Sequence, residues 1–523
     1  MDALDDKTIA DAIRDPRTRE LVARYQHTVA LLERKVQSLE ELLRLERIAR
    51  YGSRSEKLSD LQLSLLDFEP AVSSEEIAAE SERPPLTASE EDLLSLSAKA
   101  KQRKHPGRNK LPAHLPRIEK IIACTAQECL CGKCGATTKV IGYEECEVLD
   151  VKPAEYFVTM IKREKRACTQ CMNNGVQTAA TPTRIAAKSI FSDAVLIDFV
   201  VKKYCDSLPI YRQQAELKRD AGLDVALSTI NDGVLRVGEL LVPVADAMRR
   251  EILASGYIQA DETPVGVQTN EKKGTNHTAY FWQYGSPGKG VVFDFRMGRD
   301  REGPRRFLND YAGILQTDGY GAYRNGIGAK AMVHACCLAH ARRKFVDAVK
   351  VNEYDLESAR VVEWMDTIFA IDREARNAGM SVEDRHVLRS ERAPQLLGQI
   401  HEKMLAMQDA TLPKSKAGEA VRYTLSLWRK LTLFLEHPVL ELSNNLAENS
   451  MRPIAIGRRN WLHLGSKEAG PKIAAIFSIV ESCRRLKIPI RPYLADTLPG
   501  LAARSIQTMN QFTPTAYAAK LAR

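Results

Sequence analysis

The stretch from residue 257 to residue 350 changes its hydrophobic period several times, and these changes restrict the fold more than any other feature of the chain. Three segments alternate apolar and polar residues as half-buried strands do: YIQADETPVGV, TAYFWQYGS and GVVFDFRMG. A helical segment, PRRFLNDY, precedes the apolar strand in GILQTDGYGAY, and AMVHACCLAHARRKFVDA then begins as a strand and continues as a basic helix. This order of elements predicts an α/β core with an RNase H-like fold.

Two aspartates fall on neighbouring strands of that predicted sheet. The first and fourth strands are adjacent in an RNase H-like fold, so Asp261 and Asp318 would lie side by side. Carboxylates held that close repel each other, and a divalent cation relieves the repulsion. Mg²⁺, or Mn²⁺ in its place, is the expected ion, because hard cations prefer oxygen ligands and share them with water and phosphate. Glu262 would point to the opposite face of the strand and is not an expected ligand.

A third carboxylate, Glu448, stands in the stretch NNLAENSMRPIAIGRRNW. An isolated glutamate is usually a surface residue, and only partners elsewhere in the chain make it a candidate ligand. On a helix packed against the sheet, it would complete a site for two metal ions about 3.5–4 Å apart, which suits in-line phosphoryl displacement. The charged helical region between Phe345 and Leu442 would then be an insertion in the core.

Two C-x-x-C pairs predict a zinc site. Four thiolates from Cys131, Cys134, Cys168 and Cys171 would bind Zn²⁺ tetrahedrally, with the strand-like segments between them forming a zinc ribbon. Cys129 is an alternative first ligand. Zinc thiolates fit better than disulfides, because the chain is long and begins without a secretion signal.

Helical patterns flank these regions. An a/d heptad seam near the N-terminus predicts a short dimerising coiled coil, and an amphipathic helix docked on its own domain is the alternative. The seam residues are Val22, Tyr25, Val29, Leu32, Val36, Leu39 and Leu43. Further along, one helix ends at Gly222 and a second begins with Ser228 as its N-cap. This pair predicts a helix-turn-helix whose second helix enters a major groove, or else plain scaffolding.

The charge balance favours a polyanionic partner. Lysine and arginine number 76 against 67 acids, and the basic run from Lys99 to Lys110 follows a linker rich in Glu, Ser, Ala and Pro. That run would be either a phosphate-seeking arm or a solvated tail. The N-terminus has no signal-peptide pattern and no apolar run reaches membrane length, so the expected location is the cytoplasm.

Four motifs together resemble the DDE transposases of the insertion sequence 66 family. They are ADETP around Asp261, TDGYGAY around Asp318, CLAHARRKF around His340, and the stretch around Glu448; SRSEKL at residues 53–58 and SCRRLKIPIRPYLADTL extend the likeness over nearly the whole chain. The resemblance implies that Asp261, Asp318 and Glu448 form a metal-binding DDE triad. It also implies zinc ligation by Cys131, Cys134, Cys168 and Cys171, and small accessory proteins encoded by the same element.

Basic and aromatic residues near these motifs are candidate DNA contacts. His340 with Arg342 and Arg343 would approach the scissile phosphate or flanking DNA, although a structural histidine on a solvated basic helix is the alternative. Trp461 would stack on a base, or lie in the core. Three arginines, Arg452, Arg458 and Arg459, suit phosphate contacts in a DNA channel.

The predicted function is metal-dependent cleavage at the terminal inverted repeats of an insertion sequence, followed by 3′-hydroxyl strand transfer into target DNA. Double-stranded DNA and a homodimer or larger synaptic oligomer are the expected partners. A transposase-derived regulator that only binds DNA and an RNase H-like nuclease without joining activity are the alternatives. The predicted domains are 1–60 (N-terminal helices with the coiled coil), 61–115 (linker and basic arm), 116–185 (zinc-binding), 186–250 (helix-turn-helix-like), 251–350 and 441–480 (the two parts of the core), 351–440 (helical insertion) and 481–523 (C-terminal segment).

Overall fold

The computed structural model describes part of the chain. It covers scattered helical positions between residues 18 and 43, residues 136–137 and 155–167, and residues 176–522 apart from 270–274, 324–326 and 353. The four predicted zinc ligands, the linker and the basic arm lie outside the described residues. Two short strands of the zinc-binding region are described, β1 (Lys165–Ala167) and β2 (Val176–Thr178), and they pair antiparallel.

The N-terminal heptad seam is helical and, apart from the partly exposed Val22, exposed at its described a and d positions. Tyr25 is 65% exposed and Leu39 is 60% exposed, and Val29, Leu32, Val36 and Leu43 each exceed half. A seam docked on its own domain would be buried, so these positions favour the coiled-coil interpretation over its alternative. The dimer itself stays a prediction.

Three helices precede the sheet: α1 (Asp193–Tyr204), α2 (Ile210–Ala221) and α3 (Leu227–Leu253). The predicted end of α2 is confirmed, because Gly222 adopts a φ of 65° at its C-cap. The predicted N-cap at Ser228 is wrong. Gln214 Nε2 donates a hydrogen bond to Val225 O at 2.6 Å, which fixes the turn, and α3 begins one residue before Ser228.

Helix α3 is a core helix rather than an exposed DNA-recognition helix. Ten of its residues are buried along its length, and they share one hydrophobic core with the sheet. A Cβ on Gly238 would meet Lys472 O at 2.7 Å, so this glycine permits close packing on a later helix. The structure therefore favours the scaffolding alternative for the helix pair, and residues 186–250 are not separate from the core.

The described strands of the core form one mixed sheet. Its strands are β3 (Tyr257–Val267), β4 (His277–Gly285), β5 (Val291–Arg296), β6 (Ile314–Thr317), β7 (Val333–Cys336) and β8 (His463–Leu464). They run in the order β5-β4-β3-β6-β7, with β8 beside the end of β3. The first three pair antiparallel, and β6 and β7 join them in parallel. The adjacency of the first and fourth predicted strands is confirmed, within a mixed α/β fold.

Helices surround this sheet. The short helix α4 (Glu302–Leu308) precedes β6, and α5 (Leu338–Val351) follows β7. The region predicted as a helical insertion contains α6 (Leu356–Asn377), α7 (Val382–Ala410) and α8 (Lys416–Leu431). Then come α9 (Asn445–Trp461), α10 (Ala469–Arg485), α11 (Ile490–Thr497) and α12 (Pro514–Leu521). Among the described residues, no helix is long and apolar enough to cross a membrane.

The insertion shares a second hydrophobic core with α5 and the β3, β6 and β7 strands, and it contains a buried ionic network. Asp372 on α6 and Glu441 before α9 accept from three arginines, Arg376, Arg385 and Arg389. The side chain of Glu441 is 2% exposed and that of Arg389 is 1% exposed. Buried charges persist only when they are paired, so this network fixes the insertion to the segment that leads into α9.

Candidate active site

Asp261 lies on β3, opposite Gln283 of β4, and on the sheet face toward α9 and α10. Its Oδ1 accepts the backbone N–H of Glu262 at 2.8 Å. The side chain of Glu262 lies on the other face, where its Oε1 accepts from Arg299 Nη2 at 2.6 Å. The expectation that these neighbouring acids point apart agrees with this arrangement.

Asp318 directly follows β6 in a tight turn. Its Oδ1 accepts the backbone N–H of Tyr320 at 2.8 Å, and its carbonyl accepts from the hydroxyl of Tyr423 on α8. Gly319 has a φ of 86°, and a Cβ there would meet Leu427 Cδ1 at 2.4 Å. Only glycine suits this position, which explains the D-G sequence after the strand.

Glu448 lies in the first turn of α9 and faces α5. Its Oε1 is 3.4 Å from His340 Nε2, and its Oε2 is 3.4 Å from Arg343 Nη2. The Oε1 atom is buried and accepts no hydrogen bond, and His340 Nδ1 is likewise buried without a partner. The two basic side chains of the CLAHARRKF motif thus hold the third acid.

The electrostatics connect the three acids. Burial raises the pKa of Asp261 well above its ordinary value, and the negative charges of Glu448, Glu262 and Asp318 raise it further. These carboxylates, which are distant in sequence, therefore share one electrostatic environment. A cation at this place would favour the ionised form of Asp261.

Two anchors hold α9 against the acid-bearing strand. Asn444, which is fully buried, donates from Nδ2 to Ala260 O at 3.0 Å, one residue before Asp261. At the other end, Arg458 Nη1 donates to Thr263 Oγ1 at 2.9 Å. Glu448 lies one turn after Asn444, so the first anchor fixes its height above the sheet.

A buried amide network lies beneath the acids. Gln259 and Gln316 are register partners on β3 and β6, and Gln259 Nε2 donates to Gln316 Oε1 at 3.1 Å. Gln316 Nε2 donates to Glu441 O at 2.7 Å, and Gln259 Nε2 lies 3.2 Å from Ser443 O. Tyr257 OH donates to Gln316 Oε1 as well. The network joins both aspartate strands to the segment that leads into Glu448.

Sequence reasoning missed this network, although the chain contains a signal for it. Each glutamine stands two residues before an aspartate, in IQAD and in LQTD. Residues two apart in a strand share a face, so a repeated Q-x-D on two adjacent strands indicates a paired amide layer next to paired acids.

The structure places some of the candidate DNA contacts near Glu448 and the others elsewhere. On α9, Arg452 and Arg459 lie within about 40° of Glu448 around the helix axis, given 3.6 residues per turn. Arg459 is exposed and Arg452 is partly exposed. Arg343 is 42% exposed beside Glu448. These residues and Glu448 form one face, which we call the acid–arginine face.

The other candidates lie elsewhere. The prediction that Arg342 contacts DNA is wrong. Arg342 falls on the buried side of α5, where it is 5% exposed and pairs with Asp366 on α6. Arg458 uses one guanidinium nitrogen to hold β3. Trp461 lies about 140° from Glu448 around α9. It packs against the core, as its alternative interpretation stated.

The negative charge of these carboxylates suits a divalent cation, but the carboxylates are not arranged around one point. Within the described ranges, no three His, Cys, Asp or Glu side chains are already grouped closely enough to hold one metal ion. Nevertheless Asp261 is buried beside other acids, and Glu448 Oε1 has no hydrogen-bond partner. A hard cation would satisfy that orphan oxygen and offset the repulsion.

Comparison with known families defines the class of protein. Residues 188–472, more than half of the chain, match the family described as "Transposase IS66 family". Residues 128–172 match "zinc-finger binding domain of transposase IS66", and residues 38–119 match "Transposase C of IS166 homeodomain". The chain therefore belongs to the IS66 family of transposases.

Similar full-length proteins occur in Sinorhizobium fredii. The protein y4jD is 30% identical over 476 residues, which cover 88% of this chain and 90% of y4jD. The proteins y4qI and y4hP are 28% and 26% identical and cover 92% and 93% of this chain, and 89% and 88% of their own lengths. All three are described as uncharacterized, so they add to the likeness without assigning a reaction.

Proposed function

We propose that this protein is a transposase that binds the terminal inverted repeats of its own insertion sequence, cleaves the DNA there and transfers the 3′ end into target DNA, with Asp261, Asp318 and Glu448 as the catalytic acids. One observation supports this most strongly: β3 and β6 pair in parallel, next to the helix whose Glu448 raises the pKa of Asp261. Membership of a transposase family supports the same reaction class.

The three acids would hold Mg²⁺ or Mn²⁺. Bound there, the metal would supply an activated nucleophile and a stabilised leaving oxygen. Glu448 lies 3.4 Å from His340 Nε2 and from Arg343 Nη2, and its charge also acts on Asp261, so its carboxylate would share a cation with Asp261 while these two basic side chains orient it. Arg343, which is 42% exposed, would contact a phosphate oxygen of the DNA.

The proposed reaction has two displacements at phosphorus. In the first, water attacks the phosphodiester at the element end, the new O–P bond forms and the bond to O3′ breaks, which leaves a 3′-hydroxyl and a 5′-phosphate. In the second, this 3′-hydroxyl attacks a target phosphodiester, and the target's own O3′ leaves. Neither displacement requires a covalent bond to the protein.

The remaining modules would bring two DNA ends together. The acid–arginine face would contact the phosphates through Arg452 and Arg459. Zinc bound by Cys131, Cys134, Cys168 and Cys171 would stabilise a DNA-binding module, and the exposed N-terminal seam would pair two copies of the chain. Accessory proteins of the same element would assist. A protein with these partners would work on nucleoid DNA in the cytoplasm.

A strand-cleavage and joining assay tests the proposal. Purified protein, Mg²⁺ or Mn²⁺, and a labelled duplex with the element end should give metal-dependent nicks at the boundary and then joined products. Nicks without joined products would favour the nuclease. Binding without nicks in either metal, unchanged when the accessory proteins are added, would favour the DNA-binding regulator.

A further inference from the structure

Arg299, between β5 and α4, contacts residues that follow both candidate catalytic aspartates. Glu262 comes directly after Asp261 on β3, and Tyr320 comes two residues after Asp318. The side chain of Arg299 contacts both Glu262 and Tyr320. These three side chains form a connection between the two aspartate segments, which we call the Glu262–Arg299–Tyr320 bridge.

The acid of this bridge is buried. The side chain of Glu262 is 2% exposed, and its Oε1 accepts from Arg299 Nε at 3.0 Å and from Arg299 Nη2 at 2.6 Å. Charge-assisted hydrogen bonds of this kind are roughly twice as strong as neutral ones. A buried carboxylate persists only when a cation pairs with it, so Glu262 and Arg299 hold each other in place.

The tyrosine of the bridge is held by two contacts. The guanidinium of Arg299 lies 3.9 Å from the centre of the Tyr320 ring and 5.8 Å from the centre of the Tyr280 ring. Tyr320 Oη also donates to Arg299 O at 3.0 Å. Because an aromatic face attracts a cation, Tyr320 is fixed to Arg299 both by its ring and by its hydroxyl.

Backbone N–H groups connect the bridge to the aspartates. Asp261 Oδ1 accepts from Glu262 N at 2.8 Å, and Asp318 Oδ1 accepts from Tyr320 N at 2.8 Å. Each carboxylate is therefore oriented by the backbone of a residue whose side chain Arg299 holds.

The backbone ladder between the two strands does not extend to the aspartates. It ends at Gln259 and Gln316, two residues before them, so contacts beyond the ladder have to set the separation of the carboxylates. We propose that Arg299 is a positioning residue, which sets the separation at which Asp261 and Asp318 share a divalent cation. This inference rests on the proposed function, in which the two aspartates hold the metal.

A direct contact with a DNA phosphate is the alternative role of Arg299, because its side chain is 44% exposed. However, its Nε and Nη2 atoms already donate to Glu262, and the guanidinium lies against the ring of Tyr320. These contacts leave less of the guanidinium for a phosphate and favour the positioning role.

Replacing both charged partners tests positioning without changing the net charge of the site. The Glu262→Gln/Arg299→Gln variant loses one acid and one arginine, so electrostatics alone predicts the Mn²⁺ affinity of the wild type. The variant also contains no unpaired buried charge at this place, so it should fold. The control is Glu302→Gln/Arg306→Gln, which removes an exposed ion pair of the same types on α4.

The measurement is calorimetric titration of the full chain with Mn²⁺ in the absence of DNA, so it does not depend on cleavage. We expect Glu262→Gln/Arg299→Gln to bind Mn²⁺ about 10–100-fold more weakly than the wild type, as happens when residues that orient metal ligands are replaced. The control should match the wild type. Metal-free binding of DNA should be the same in both variants as in the wild type.

Tyr320→Leu is a second variant that changes a partly exposed residue and should therefore fold. It keeps the backbone N–H that Asp318 accepts but removes the ring and the hydroxyl that Arg299 contacts. Its Mn²⁺ affinity should also fall, by less than in the double variant.

Two outcomes would overturn the proposal. One is a wild-type Mn²⁺ affinity in Glu262→Gln/Arg299→Gln. The other is weaker DNA binding with unchanged Mn²⁺ affinity, which would make Arg299 a phosphate contact. If Mn²⁺ affinity falls as expected but the wild type does not cleave element ends, only the proposed function fails. If the wild type cleaves and Mn²⁺ affinity is unchanged in the variants, only the positioning role fails.

Discussion

Gln259 and Gln316 face each other in register on two parallel strands, two residues before Asp261 and Asp318, and both amides bond the segment that leads to Glu448. The ladder between β3 and β6 ends at this pair, and each aspartate follows its glutamine by two residues. The amide pair thus connects the positions of all three candidate catalytic acids.

Replacing Gln316 tests that connection. Gln316→Met keeps the volume but leaves Glu441 O without its donor, so the free energy of unfolding should fall by about 1–3 kcal/mol. DNA cleavage should slow while DNA binding stays, since Glu448 loses its support. Denaturant unfolding and single-turnover cleavage measure the two effects.

Gln283→Met is the matched stability control. Gln283 is also fully buried, but neither of its amide atoms forms a hydrogen bond. Its replacement should therefore leave stability unchanged or raise it. Equal losses in the two variants would show that the Gln259–Gln316 pair has no special role.

Asp261→Asn should stabilise the metal-free protein at neutral pH. The folded pKa of Asp261 is raised, so the folded state binds the proton more strongly than the unfolded state. Ionisation of Asp261 therefore lowers the free energy of unfolding once the pH exceeds the unfolded pKa of about 3.9. This loss grows with pH until the pH reaches the folded pKa. The gain should shrink as the pH falls toward 4. A variant that is less stable than wild type at pH 7 would contradict this.

Divalent metal should stabilise the wild type and not the acid variants. A ligand that binds only the folded state adds about 2.7 kcal/mol at 100 times its Kd. Asp261→Asn and Glu448→Gln should lose most of this gain in thermal unfolding with Mg²⁺ or Mn²⁺. Asp294→Asn is the control, because Asp294 lies on the opposite face and pairs with Arg296. A gain that persists in Glu448→Gln would exclude that residue as a ligand.

The ionic network of the insertion should contribute strongly to stability. Glu441→Gln leaves buried arginines without their acid, which costs about 3–5 kcal/mol for such pairs. Glu436→Gln removes the acid of an exposed pair with Arg429 and should cost less than about 1 kcal/mol. Denaturant unfolding compares them, and similar losses would mean that the network is not rigidly buried.

Arg459 and Arg342 should behave in opposite ways. Arg459→Gln should weaken DNA binding and reduce its salt dependence by about one phosphate contact, without loss of stability. Arg342→Gln should destabilise the fold, because Arg342 is buried beside Asp366. Binding titrations at several salt concentrations decide the first, and unfolding decides the second; an unchanged salt slope in Arg459→Gln would remove it from the DNA face.

The sequence predicted the sheet because period-two segments and their order restrict the topology strongly. The adjacency of Asp261 and Asp318 followed from that order alone. The prediction that Arg342 contacts DNA was wrong, although the sequence contained a signal against it. Arg342 lies four residues after Leu338 and three before Phe345, on the apolar stripe of α5. Neighbouring helix residues point about 100° apart, so basic residues in one run have different surroundings.

Other features depend on contacts that no local pattern reveals. The start of α3 is fixed by Gln214 bonding across the turn, which overrides the capping preference of Ser228. The role of α3 was open to both interpretations, yet its apolar positions continue through Val244 and Met248, a length that indicates a core helix.

The central claim is that Asp261, Asp318 and Glu448 act as one site, and single-turnover cleavage of an element-end duplex in Mg²⁺ or Mn²⁺ tests it most directly. Groups that act as a unit are not additive, so each single amide variant should fall to the same background rate, and the Asp318→Asn/Glu448→Gln double variant should fall no further. Substantial cleavage by Glu448→Gln, or losses that multiply in the double variant, would contradict the account.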